Sequence, residues 1–147
     1  MDRAQEAWTA YRRLRLLVDA EVARDLERRT GLSMPDYDVL EAVAELGAEE
    51  QCVRVGGLAA RMGWAHARLS RQLARMERRD LIAREPCERD GRGDDVLLTE
   101  AGRRAYETAR PGHLASVRRH FTGPLSAAQL DQLAAIARTL AAGREPR

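Results

Sequence analysis

"GLAARMGWAHARLSRQLARMERRDLIAREPCERDGRGDDVLLT", residues 57–99, decides the fold. Its opening carries Leu58, Ala59 and Met62 at helical spacing, and Gly63 suits the left-handed residue that ends a helix. A second helical run of about four turns extends from Trp64 to Asp80. Two short stretches, "LIAREP" and "DVLLT", then flank the glycine-bearing tip "ERDGRGDD", Glu88 to Asp95. Short strands joined by such a tip read as a β-hairpin. Helix, turn, helix and hairpin together make a winged helix-turn-helix.

The second helix has two faces. At about 100° per residue, Arg68, Arg71, Arg75 and Arg78 fall within an arc of about 80°. Leu69, Leu73 and Met76 occupy a neighbouring arc suited to a core. Arginine offers a planar fork of donors that fits phosphates and guanine edges. The first turns of such a helix enter the major groove. His66, Arg68, Ser70, Arg71 and Gln72 are therefore candidates for base contact, and Arg75 for the region nearer the phosphates. The competing reading is a solvated charged face, but Glu77 is the only acid between Ala65 and Asp80.

Working outward, Asp2 to about Arg29 reads as a long helix striped with Trp8, Tyr11, Leu14, Val18, Val22 and Leu26. Thr30-Gly31 ends it. Ser33 is an N-cap, Pro35 suits the first turn and Asp36 the positive helix end. Tyr37, Leu40, Val43 and Leu46 give this next helix its inner face. "CVRV" is a short extended piece. Past the hairpin, Thr99 caps a helix running to about Arg119, and Ser126 with Gln129 forms the capping box of a last helix ending near Ala142. The fold class is mainly α with a small β-hairpin wing. Residues 33–104 form a winged helix-turn-helix DNA-binding domain, and 1–32 with 105–147 a helical region. The flanking helices carry more apolar surface than one small winged helix can cover, which reads as an oligomerisation layer.

At 147 residues the chain can bury a real core. No apolar run approaches the roughly 18 residues of a membrane span, and "MDRAQEAW" lacks an apolar signal core, so a cytoplasmic location is expected. The net charge of +2 conceals a division. Residues 36–50 hold six acids and no base, whereas 61–92 hold nine arginines and five acids. Cys52 and Cys87 form no C-x-x-C motif, which excludes a zinc ribbon, and a cytoplasmic location argues against a structural disulfide. His66, His113 and His120 are scattered, so neither a metal nor a cofactor is expected. No nucleophile elbow or phosphate-cradling loop is present, and the chain does not read as an enzyme.

The stretches "LSMPDYDVL", "VGGLAARMGWAHARLSRQLARMERRDLIARE" and above all "RDGRGDDVLLTEAG" resemble the MarR family of bacterial transcriptional regulators. The family's wing signature, Asp-x-Arg followed by Leu-Thr-x-x-Gly, is matched by Asp90-Gly91-Arg92 and Leu98 to Gly102. The resemblance implies a homodimer that binds double-stranded DNA at a pseudo-palindromic operator, and a repressor is expected. It also implies that Arg92 enters the minor groove with Asp90 holding it; Arg89, in the same wing, is a further candidate for DNA contact. A narrow minor groove concentrates negative potential, which favours an arginine there. One departure is visible: where the family often has glycine before the first wing strand, this chain has Asp80.

Many relatives implied by this resemblance release DNA on binding a small aromatic or phenolic anion. Arg15 shares an arc with Trp8 and Tyr11, and a charge within an apolar stripe needs a partner. Arg15, Trp8, Tyr11 and Tyr37 are the candidate ligand residues, with an ion pair for Arg15 as the competing reading. Two alternatives stand beside the ligand-controlled regulator: a redox-responsive regulator using Cys87 or Cys52, and a winged helix that binds protein.

Overall fold

The computed structural model describes residues 2–87 and 93–144. Among them the order is α1 (Arg3–Thr30), α2 (Met34–Glu49), α3 (Val55–Met62), α4 (His66–Arg78), β1 (Ile82–Pro86), β2 (Asp94–Leu98), α5 (Glu100–Val117) and α6 (Ala127–Ala142). The molecule is a mainly helical winged helix, as the pattern of residues 57–99 implies. Its contacts sort into two compact units, Ala23–Gly112 and Met1–Val22 with His113–Arg147.

The first of these units carries the core. Ser33 caps α2: its hydroxyl accepts from the Asp36 N–H, and the Asp36 carboxylate accepts from the Ser33 N–H in return. Tyr37, Val39, Leu40 and Val43 of α2 pack with Leu58 of α3, with Leu69, Leu73 and Met76 of α4, and with Ile82 and Val96 of the wing. Each such side chain contributes roughly 1.5–3 kcal/mol on leaving water. α3 begins at Val55, two residues earlier than the sequence pattern marks, and ends at Gly63 with φ +67°.

The end of α4 sets the wing. Asp80 takes the left-handed conformation at φ +59°, and Leu81 N–H donates back to the Met76 carbonyl at 2.9 Å. A short polar side chain tolerates that conformation, so aspartate fills the place where glycine would be expected. The antiparallel register pairs Ile82 with Leu98, Arg84 with Val96 and Pro86 with Asp94. The segment before α3 lies alongside: Val96 N–H donates to the Val53 carbonyl, and Val53 N–H to the Asp95 carboxylate.

Thr99 closes this joint. Its N–H donates to the Leu81 carbonyl, its hydroxyl donates to the Asp80 carbonyl at 2.6 Å, and the same hydroxyl accepts from Gly102 N–H at 2.9 Å. Gly102 must be glycine because a Cβ there would run into the Leu81 carbonyl. The Leu-Thr-x-x-Gly pattern is thus the fastening between wing, α4 and α5.

In the other unit, α1 opens with Asp2 and Gln5 capping each other reciprocally. α5, which enters this unit at His113 just after its Pro111, runs into a π-helical turn, Arg118–Thr122, closed by Gly123 N–H on the Arg118 carbonyl at 2.7 Å. Ser126 and Gln129 form the expected capping box of α6. The large apolar side chains left exposed among the described residues all lie in this unit: Trp8, Tyr11, Leu14, Leu16 and Leu17 of α1, Leu114 of α5, and Leu130, Ile136 and Leu140 of α6.

Gly102→Ala is expected to destabilise the fold by about 1–3 kcal/mol, the usual range for forcing volume into a packed joint. Urea unfolding followed by circular dichroism reads this directly, and a midpoint equal to wild type would refute the fastening.

Candidate nucleic-acid interface

α4 is held by its buried side. Leu69, Leu73 and Met76 are fully buried, which turns Arg68, Arg71, Arg75 and Arg78 outward, and all four are exposed. The Arg68 guanidinium stacks over the Trp64 ring, 3.7 Å from its centroid. Such a stack orients the cation through the ring's negative face. Ser70 Oγ and His66 Nδ1 lie 3.5 Å apart on the first turn. No carboxylate among the described residues pairs with any of these four arginines.

The neighbouring arginines differ. Arg61 on α3 is held by Glu45 and Glu49 of α2, each at 3.1 Å. Arg84 of β1 meets Glu77 at 3.0 Å. Arg79, just past α4, donates to Asp36 at 2.8 Å. The acidic run of α2 and the basic run beyond it therefore cancel in part within the winged helix itself.

Gln72 requires a correction. It was expected to reach a base, but it is only 4% exposed. Its Nε2 donates to Asp36 Oδ1 at 2.8 Å, and its Oε1 accepts from Arg75 Nη2 at 2.7 Å. On a helical wheel Gln72 sits between the arginine arc and the leucine arc, and the Asp36 carboxylate draws it inward.

Asp36 is the one buried carboxylate of this site, accepting from Ser33 N–H, Gln72 and Arg79. Burial pushes its carboxyl pKa up; the hydrogen bonds and charge of Arg79 and the donors of Ser33 pull it down and win, leaving it below its ordinary value. Sequence reading found Asp36 only as a favourable charge at a helix end. Its partners lie 36 and 43 residues away, beyond any local pattern.

The cysteines require a second correction. Cys52 and Cys87, expected as separate thiols, form a disulfide with Cα atoms 6.0 Å apart. The cause is the alignment of the segment before α3 beside β2, which brings residue 52 to the end of β1. Compartment alone could not reveal that proximity. The wing-tip candidates Arg89, Asp90 and Arg92 lie outside the described residues.

Among the residues assigned to a ligand, Trp8 and Tyr11 form an exposed ring pair with centroids 5.8 Å apart, and Arg15 is exposed on the same helix. Tyr37 is a core side chain instead, 1% exposed and packed against Tyr106 with centroids 5.7 Å apart. Burial, then the neighbouring Glu41, raises its hydroxyl pKa. No cluster of three metal-ligating side chains exists among the described residues, and no helix there is long and apolar enough to cross a membrane.

A helix-turn-helix with an outward arginine face and a wing defines the class: DNA-binding transcription regulators of the winged-helix type. A family model described as MarR family matches residues 30–93. Transcriptional regulator HosA of Escherichia coli O127:H6 is 34% identical over 119 residues, covering 80% of this chain and 84% of HosA. The crystal structure of AbsC, a MarR family transcriptional regulator from Streptomyces coelicolor, superposes with a TM-score of 0.87 at 34% identity, over 97% of this chain and 95% of that one. Sco3205, a MarR family regulator from the same organism solved in complex with DNA, gives a TM-score of 0.86 at 30% identity, over 97% and 88%. The chain belongs to the MarR family of transcriptional regulators, which bind DNA and are not enzymes.

A lowered carboxyl pKa in the folded state means that Asp36 stabilises fully above its ordinary value of 3.8, and that the stabilisation is lost as pH falls through the lowered one. The stability gap between wild type and Asp36→Asn, from urea melts, should hold steady from neutral pH to about 5 and shrink below about 4. A gap unchanged down to pH 2 would show that the carboxylate gains nothing from its partners.

Proposed function

We propose that this protein is a homodimeric repressor that reads a pseudo-palindromic operator in the cytoplasm and is released by a small aromatic or phenolic anion. The observation that carries the DNA-reading part is the α4 arginine face, outward and without a carboxylate partner among the described residues. Sco3205, at 30% identity, is solved in complex with DNA, which supports a DNA-binding role here. His66, Arg68, Ser70 and Arg71 face bases, Arg75 faces phosphates, and Arg92, positioned by Asp90 with Arg89 nearby, enters the minor groove.

The dimer reading rests on the exposed apolar side chains of α1 and α6; α6 has no buried residue in the isolated chain. Residues 1–32 and 105–147 would join the two copies around the 33–104 DNA-binding domains, with half-sites about one helical turn apart. Arg15 beside Trp8 and Tyr11 supplies a cation next to aromatic surface, the pairing that a phenolic anion needs.

Binding isotherms over a salt series, with DNA from upstream of the protein's own gene and random DNA in parallel, test this. Wild type should prefer the first and weaken steeply with salt. Arg92→Ala should weaken binding to every sequence, Arg71→Ala should also relax base preference, and Arg15→Ala should bind normally yet resist release by salicylate-like anions. Binding without salt dependence would favour a protein partner instead.

The Cys52–Cys87 bond supports a second reading, a redox-responsive regulator. Cys87 directly follows β1, at the end of the ladder away from α4 and α5, and Cys52 precedes α3, so the cross-link ties the outer end of that strand to the segment leading into the helix-turn-helix. Its formation from two thiols yields two protons and two electrons, which a hydroperoxide takes up to give an alcohol and water. Oxidised protein should bind the operator about fivefold or more tightly than reduced protein, a difference within the usual 1–3 kcal/mol of coupling between two sites. Cys52→Ser should abolish that difference; equal affinities in both states would leave the bond a structural one.

A further inference from the structure

Gln72 is a buried amide on α4, next to the arginines of its outward face. The geometry has a direction. Asp36, ionised, can only accept, so Gln72 must turn its Nε2 inward to it. That leaves Oε1 facing out, and Oε1 accepts from Arg75 Nη2 at 2.7 Å. Arg75 itself is exposed and has no carboxylate partner among the described residues.

We infer that Asp36 and Gln72 are positioning residues for Arg75: the buried carboxylate fixes the orientation of the amide, and the amide holds the guanidinium ready for a DNA phosphate. This rests on the reading of α4 as the DNA-facing helix. Among the described residues Gln72 uses one donor of the five on Arg75, and the rest stay available in a planar fork. The side chain keeps its full charge because its partner is neutral. Arg79 receives the opposite treatment: it meets the carboxylate directly, so its charge is offset. One carboxylate thus orients one arginine through an amide and neutralises another. If Asp36 were neutral, the Gln72 amide could reverse and present its NH2 to Arg75, which would turn the guanidinium away.

The test is a double-mutant cycle on operator affinity, with the full-length chain. Gln72→Met keeps the volume of the side chain and removes both hydrogen bonds. It should weaken binding about two- to tenfold, the cost of ordering one long side chain. In the Arg75→Ala background the same change should cost almost nothing, because the side chain it positions is gone. Asp36→Asn should reproduce the loss while leaving the melting temperature high enough for a folded protein at the assay temperature; if it does not fold, the Gln72→Met cycle decides alone. An equal penalty for Gln72→Met in both backgrounds, or no penalty in either, overturns the positioning role. Wild-type protein that fails to bind DNA at all would overturn instead the reading on which it rests.

Discussion

Burial of Leu69, Leu73 and Met76 is the constraint from which the candidate interface follows. These three occupy one arc of α4, and once they are sealed against Leu40, Leu58 and Val96 the helix cannot rotate. A turn of even 60° about its axis would drag a guanidinium into the core, at a cost far above what packing returns. The orientation of the arginine face is therefore a by-product of apolar packing, and it needs no contact with DNA to exist. This is why an isolated chain already displays it.

Rigid orientation would be of little use with a loosely attached wing. The Leu81 carbonyl is the point where three elements meet: it accepts from Thr99 and lies against Gly102 so closely that no side chain fits. The left-handed turn at Asp80 delivers that carbonyl to its place. On the far side, Val53 pairs with Val96 and Cys52 bonds to Cys87. The hairpin is thus held at both ends of its ladder, by a polar joint next to α5 and by a covalent one next to the tip.

Most of this architecture was legible in the sequence because it depends on local rules. Caps at Ser33, Thr99 and Ser126, the stop at Gly63 and the two faces of α4 are all encoded within a few residues of where they act. What was not legible depends on the meeting of distant segments. Gln72 has the polarity of a DNA-contacting side chain, and only the position of Asp36 shows that it points inward. Cys52 and Cys87 are 35 residues apart, and their pairing follows from the alignment of the segment before α3 with β2. Tyr37 has the chemistry of a ligand-binding residue but sits on the inner face of α2, where periodicity alone had already placed it. The π-helical turn after α5 has no local signal that we can identify.

Charge shows how the two kinds of information combine. Seven arginines lie between Arg61 and Arg84. Three of them, Arg61, Arg79 and Arg84, meet carboxylates. Among the described residues, the four that do not are Arg68, Arg71, Arg75 and Arg78, the same four that share one face of α4. Where the structure orients members of that face, it does so with neutral groups: the Trp64 ring under Arg68 and the Gln72 amide against Arg75. A carboxylate in either position would hold a guanidinium at least as firmly, but it would cancel the field that draws a polyanion. A ring or an amide restricts the side chain and leaves the charge whole. The ion pairs near this helix therefore divide the arginines: Arg61, Arg79 and Arg84 are offset by carboxylates, and the outward face of α4 keeps its positive charge among the described residues.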